Sequence, residues 1–231
     1  MARRDALLEV IACSVADAVE AQHGGAGRLE VISELQRGGL TPKLRLVQQI
    51  IAVVSLPVRV MLREQDSYDV SSTKEKDRLC VAARELSALR VEGLVLGFLR
   101  EGRVDVELTQ EILSCAPNLK ATFHHAFEET EPFEAIREIK RIDHVDRILT
   151  HGGSLAWPGR IEQLAKYQQE THPEIQIIAG GGLDAEKIKD IGKSTAIREF
   201  HVGRAARASG RVDGEVQAAR VKTLVEAARE E

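Results

Sequence analysis

The sequence predicts an α/β protein folded as a closed (β/α)8 TIM barrel, a single domain over residues 1–231. Three observations lead there. Short apolar runs rich in β-branched residues alternate with segments of helical period, which implies a parallel sheet. The alternation counts to eight strand–helix units joined mostly by a few residues. The chain, at 231 residues, is somewhat shorter than the roughly 250 typical of the eightfold barrel. A doubly wound open sheet is the rival, but it usually stops at about five or six strands.

The units follow in order. "LLEVIAC" (7–13) precedes the helical "VADAVEAQHGG", and "RLEVIS" (28–33) precedes "TPKLRLVQQIIAVV", where Thr41 is the expected N-cap and Pro42 the first helical residue. "PVRVMLR" (57–63) leads to a helix opened by Ser72 and Glu75 at capping-box spacing and running to about Leu89. "GLVLGFL" (93–99) pairs with "DVELTQEILSCA", and "KATFHH" (120–125) with "EPFEAIREIKRI". "DRILTHG" (146–152) is followed by "GRIEQLAKYQQE". "EIQIIAGG" (174–181) is followed by "AEKIKDIGK", with Asp184 as N-cap, and "REFHVG" (198–203) by "GEVQAARVKTLVEAARE".

Composition narrows the function. A net charge of −4 and a pI near 6.0 exclude the basic face a nucleic-acid partner needs, and 3% aromatic residues are too few for base stacking. No apolar run approaches the roughly 20 residues of a membrane span. The start, "MARRDALLEV", has no apolar core or small-residue cleavage site, so no signal peptide is expected. Cys13, Cys80 and Cys115 form no CxxC spacing, which fits a reduced, cytoplasmic protein.

In this fold chemistry gathers at the carboxyl ends of the strands. Alternation along the strands groups Glu9 with Ile11 and Cys13, Glu30 with Arg28 and Ile32, Thr122 with His124, Thr150 with Ile148, and Glu199 with His201. Arg63 closes the third strand. If those faces turn inward, Glu9, Glu30, Arg63, His124, Thr150 and His201 converge on the barrel mouth, and Glu9, Glu30, Arg63, His124 and His201 are the candidate catalytic residues. Buried charges are costly unless paired or completed by a ligand; for any single strand Glu or His, a structural ion pair is the plainer reading. His124 and His125 are expected on opposite faces. The strand ends supply glycines: Gly152 and Gly153 after the sixth, Gly180, Gly181 and Gly182 after the seventh, and Gly203 with Arg204 and Arg207 after the eighth. Bare amides beside a cation suit a small anionic ligand, phosphate or carboxylate; tight turns alone would also select glycine.

"RLEVISELQRGGLTP", "PVRVMLR", "TFHHAF", "DRILTHGG", "AGGGL" and "REFH", in this order, resemble the CutC copper-homeostasis family from Leu8 to His201. The resemblance implies a TIM barrel that is cytosolic, a homo-oligomer such as a dimer, and associated with copper tolerance or binding. The family's typical polar positions fall on Glu9, Glu30, Arg63, His124, Thr150, Gly152, Gly153, Gly180, Gly181, Gly182 and His201. The chain also departs from the family. Ile11 and Ile32 stand where relatives carry cysteine, and Cu(I) prefers sulfur. Cys13 is the lone candidate metal ligand, with a buried structural thiol as the plainer reading, and Met61 a weak thioether partner. His125 replaces an arginine, and "REQDSYDVSS" lacks the usual loop-three Pro, Arg and Gly residues. Three functions follow: a CutC-like copper-homeostasis protein, an isomerase- or lyase-type enzyme for a small phosphorylated or carboxylated metabolite, and a non-catalytic oligomeric scaffold. A Schiff-base aldolase is disfavoured, because no strand ends in lysine and Lys120 starts the fifth.

Overall fold

Side-chain alternation along each parallel strand sorts its residues into two buried compartments. The computed structural model describes residues 6–230; Met1–Asp5, the basic start in which no signal peptide is expected, and Glu231 lie outside the described residues. The barrel strands are β1 (Leu7–Ala12), β2 (Arg28–Val31), β3 (Val58–Met61), β4 (Gly93–Leu96), β5 (Lys120–Phe123), β6 (Val145–Thr150), β7 (Gln176–Ala179) and β8 (Glu199–Val202). They pair in chain order, all parallel, and β8 closes onto β1. The helices are α1 (Val15–His23), α2 (Leu44–Val53), α3 (Thr73–Ser87), α4 (Val106–Ser114), α5 (Pro132–Ile139), α6 (Trp157–Thr171), α7 (Ala185–Ser194) and α8 (Ala218–Arg229). This is the expected (β/α)8 barrel. Among the described residues no helix is long and apolar enough to cross a membrane.

Outward-facing Leu8, Val10, Leu29, Val60, Leu94, Ile148, Ile177 and Phe200 pack with the helices into the main core. Removing side chains of this size from water contributes about 1.5–3 kcal/mol each, so this layer carries most of the fold. Inward-facing Ile11, Ile32, Met61 and Val95 form a separate small apolar cluster.

Below that cluster the interior is ionic. Arg28 donates to Glu9 and, at 2.8 Å, to Glu199. Arg147 holds the same Glu199 through Nε and Nη2 at 2.7 and 3.0 Å. Arg59, fully buried, grips both oxygens of Asp146 at 2.7 and 2.9 Å, Glu92 at 2.7 Å and the Thr122 hydroxyl at 2.8 Å. Every buried guanidinium in this floor has carboxylate partners, as burial of a charge requires.

Several local expectations change. Helix α2 starts at Leu44, and Thr41 does not cap it. The Thr41 hydroxyl instead accepts from the Arg63 amide (2.8 Å) and donates to the Arg63 carbonyl (3.0 Å), clasping the end of β3. Ser72 and Asp184 do cap α3 and α7, accepting from the amides of Glu75 and Lys187. The fourth strand stops at Leu96, and a small hairpin of Leu99–Arg100 and Arg103–Val104 follows it, because Gly102 takes a left-handed turn between them. The fifth strand stops at Phe123. His125 therefore starts a short 3-10 turn rather than occupying the outer strand face.

Candidate active site

Glu9 and His201 are Cα partners across β1 and β8, and Glu30 follows two residues after Arg28 on the same inward face of β2. The His201 ring consequently sits between two carboxylates, with Nδ1 2.8 Å from Glu9 and Nε2 3.5 Å from Glu30. Burial works against the imidazolium, but Glu30 and Glu9 outweigh it and raise the pKa of His201. Burial pushes Glu9 up as well; there Arg28 and His201 prevail and hold it well below the usual carboxylate range. Glu30 lacks such a guanidinium partner. Burial, opposed by His201 and reinforced by Glu9, pushes its carboxyl up to about 7.

His124 directly follows β5 and turns inward, its ring seated against Gly97, where a Cβ would stand 2.7 Å from Nδ1. The amide of Ala126 donates to His124 Nδ1 at 3.2 Å, so the proton of the neutral ring resides on Nε2. Burial, helped by the charges of His125 and Arg63, keeps the ring neutral by lowering its pKa. Arg63 is buried beneath Tyr68, whose ring lies 4.7 Å from the guanidinium carbon. Glu30, His124, Arg63, Tyr68, His125, His201, Ile11 and Met61 enclose a chamber of about 30 Å³. Glu30 Oε1, His124 Nε2 and Arg63 Nε are buried there without a hydrogen-bond partner among the described residues.

A wider cavity of about 410 Å³ lies above, lined by Gly181, Gly182, Gly203, Arg204, Leu35 and Val212. Ile11, His125 and His201 line both spaces. Gly181 and Gly182 take left-handed conformations, with φ of 75° and 80°, and their amides donate to nothing among the described residues. The Arg204 guanidinium is the nearest group to the open face of Gly182.

The structure thus brings together Glu9, Glu30, Arg63, His124, His201, Gly181, Gly182, Gly203 and Arg204. It separates others from them. Gly152 and Gly153 line neither space; both have positive φ, and the Gly152 amide donates to Thr150 Oγ1. Gly180 extends β7, donating to the Thr150 carbonyl, and a Cβ there would meet Leu149 at 2.7 Å. Gly152 and Gly180 meet turn and packing requirements, while a Cβ at Gly153 would meet nothing within 4 Å. Thr150 shares the outward face of Ile148 and donates to Glu128 at 2.6 Å, leaving Leu149 to face the chamber. Arg207 is not a mouth cation: it is buried against Asp17 at 2.9 Å and the Ile11 carbonyl at 3.1 Å. His125, expected to face away, lines both spaces, its ring centre 6.5 Å from that of His201, and burial with neighbouring charges pushes it down to about 3.

Tyr68 and Arg59 were not singled out in the sequence. Arg59 shares the period-two face of Met61 and Arg63 and could have been read from it. Tyr68 sits in an irregular loop that carries no periodic signal.

A closed ring of eight parallel strands, each followed by a helix, is an α/β barrel of the (β/α)8 class. A model of the CutC family matches residues 6–206, and the chain belongs to that family. The copper homeostasis protein cutC homolog of Mus musculus is 31% identical over 207 residues, covering 88% of this chain and 76% of that protein. The homolog of Homo sapiens is 30% identical over the same length. A CutC structure from Streptococcus agalactiae aligns at a TM-score of 0.77 with 24% identity, over 90% of this chain and 99% of that one, a likeness of fold.

The family's name raises copper, so the donor set matters. Among the described residues no group of three or more His, Cys, Asp or Glu side chains is placed to hold a metal ion. Burial pushes the Cys13 thiol up to about 11, and the guanidinium of Arg207 lies 3.5 Å from its sulfur, where a cuprous ion would meet a like charge. Ile11 and Ile32 offer no sulfur. These residues do not fit Cu(I).

Proposed function

We propose that this CutC-family chain is an acid–base enzyme of the isomerase or lyase type, acting on a small anionic metabolite at the barrel mouth. One observation carries the reading: Glu30 Oε1 and His124 Nε2 are buried without partners in the same chamber. A natural protein seldom leaves such atoms unsatisfied, and each costs about 1–3 kcal/mol when it does. Glu30, with its carboxyl at about 7, can take a proton from carbon and return it near neutral pH. The neutral His124 offers Nε2–H to the oxyanion that forms on the adjoining carbonyl. His201, anchored by Glu9, holds the other edge of Glu30. The phosphate or carboxylate of the ligand would rest on the amides of Gly181 and Gly182 with Arg204.

The test is solvent deuterium exchange, followed by NMR, into a panel of phosphorylated and carboxylated metabolites. The expected result is exchange at one carbon of a preferred compound, reduced about 10²–10⁴-fold in Glu30→Gln and His124→Asn variants that melt no lower than the parent. Equal exchange in parent and variants overturns the proposal. No exchange with any compound, together with destabilised variants, would favour the scaffold reading.

A further inference from the structure

Among the described residues three of the four buried arginines, Arg28, Arg59 and Arg207, are paired with a carboxylate, as is the half-buried Arg147. Arg63 is 7% exposed and differs. Its Nη1 donates to the carbonyls of Gly39 (3.3 Å) and Arg37 (3.5 Å), and Nη2 to that of Asp66. Every acceptor is a neutral carbonyl, and Nε has none. A cation taken out of water with no counter-charge is costly, and an arriving anion would relieve it. Nε and Nη2 form the edge of a guanidinium that matches a carboxylate, and Arg147 uses that edge on Glu199 in this molecule. Tyr68 covers the face of Arg63 and fixes its plane. The chamber, at about 30 Å³, has space for about two water molecules, room for a flat carboxylate and too little for a hydrated phosphate.

We infer that the ligand is a phosphorylated short-chain carboxylic acid, its carboxylate seated on Arg63 inside the chamber and its phosphate on the Gly181–Gly182–Arg204 rim. The inference deepens the reading of the mouth as a binding site. Ile11, His125 and His201 line both spaces, so one molecule can reach through from rim to chamber. Its carbon next to the carboxylate then lies among Glu30, His124 and Arg63. The carboxylate identifies which carbon loses the proton, and Arg63 with His124 would stabilise the enediolate left behind.

The experiment uses two probes, acetate and inorganic phosphate, titrated separately and together into the full chain. Acetate is followed by its methyl resonance. Phosphate is followed by the fluorescence of Trp157, the sole tryptophan, which stacks near Arg160, itself bonded to the Gly181 carbonyl. Both probes should bind without displacing each other. Arg63→Lys should weaken acetate about tenfold, the worth of one charge-assisted hydrogen bond, and leave phosphate unchanged. Arg204→Ala should do the reverse. Should Arg63→Lys fail to fold, Tyr68→Leu takes its place and should loosen acetate alone. Mutual displacement, absent acetate binding, or acetate affinity indifferent to Arg63 and Tyr68 overturns the inference. Paired binding without any deuterium exchange overturns only the acid–base reading.

Discussion

Replacing Glu30 with glutamine should stabilise the protein, with an advantage that opens above pH 4.5 and is nearly complete by about pH 7. Burial moves this carboxyl from an ordinary 4.5 up to about 7, so the folded state binds its proton more tightly than the unfolded chain does. A raised folded pKa gives stability that is fully present below 4.5 and lost as pH rises through about 7. At about 1.4 kcal/mol per tenfold change in proton affinity, the ionised form costs the fold up to about 3 kcal/mol. His201, 3.5 Å away, opposes this cost, and its contribution is already contained in the figure. Glutamine keeps the shape and has no charge to bury. Urea unfolding of parent and variant at about pH 4, 6 and 8.5 should show little difference at the acid end, a growing advantage for glutamine between about pH 4.5 and 7, and a plateau above. In melting experiments the gap corresponds to about 5–10 °C at pH 8.5 for a chain of this size. A parent that stays as stable as, or more stable than, the variant at pH 8.5 would refute the claim that Glu30 is held against its charge.

Arg59→Met should lower stability by about 3 kcal/mol in urea unfolding, because Asp146 and Glu92 lose their shared cation. Adding Asp146→Asn should recover part of it. Gly93→Ala should prevent folding or cost several kcal/mol, since its Cβ would collide with the Lys120 carbonyl of the next strand; circular dichroism and expression report it. If the mouth catalyses exchange, its rate should rise with pH through about 7 and level off as Glu30 becomes a base. Anaerobic titration with Cu(I) against a strong chelator should detect no competing site, and Cys13→Ser should change nothing.

Alternation in the sequence was enough to gather Glu9, Glu30, Arg63, His124 and His201, because inward residues of a parallel barrel recur every second position. It failed for Thr150 for a related reason. The pairing with Ile148 holds, but both faces of a buried parallel strand are apolar, so periodicity cannot say which face is inner. His125 escaped because the strand ends one residue before His124 and the following turn has a period of three. The three-glycine run divided in two. Gly180 belongs to the strand and yields to Leu149, whereas Gly181 and Gly182 face the cavity; composition alone does not separate these uses. Arg63 was legible as a mouth residue. Its lack of a counter-ion depends on the carbonyls of Arg37, Gly39 and Asp66, which only the folded loops bring to it.

The His201 bridge has a consequence for how this barrel can change over time. From Glu30 the contacts run without interruption through His201, Glu9, Arg28, Glu199, Arg147 and Asp146 to Arg59, from the entrance to the far end of the barrel. A substitution deep in that column, nowhere near a ligand, resets the proton affinity at the top. Tuning of reactivity and upkeep of the scaffold therefore draw on the same side chains, and mutational drift in one constrains the other.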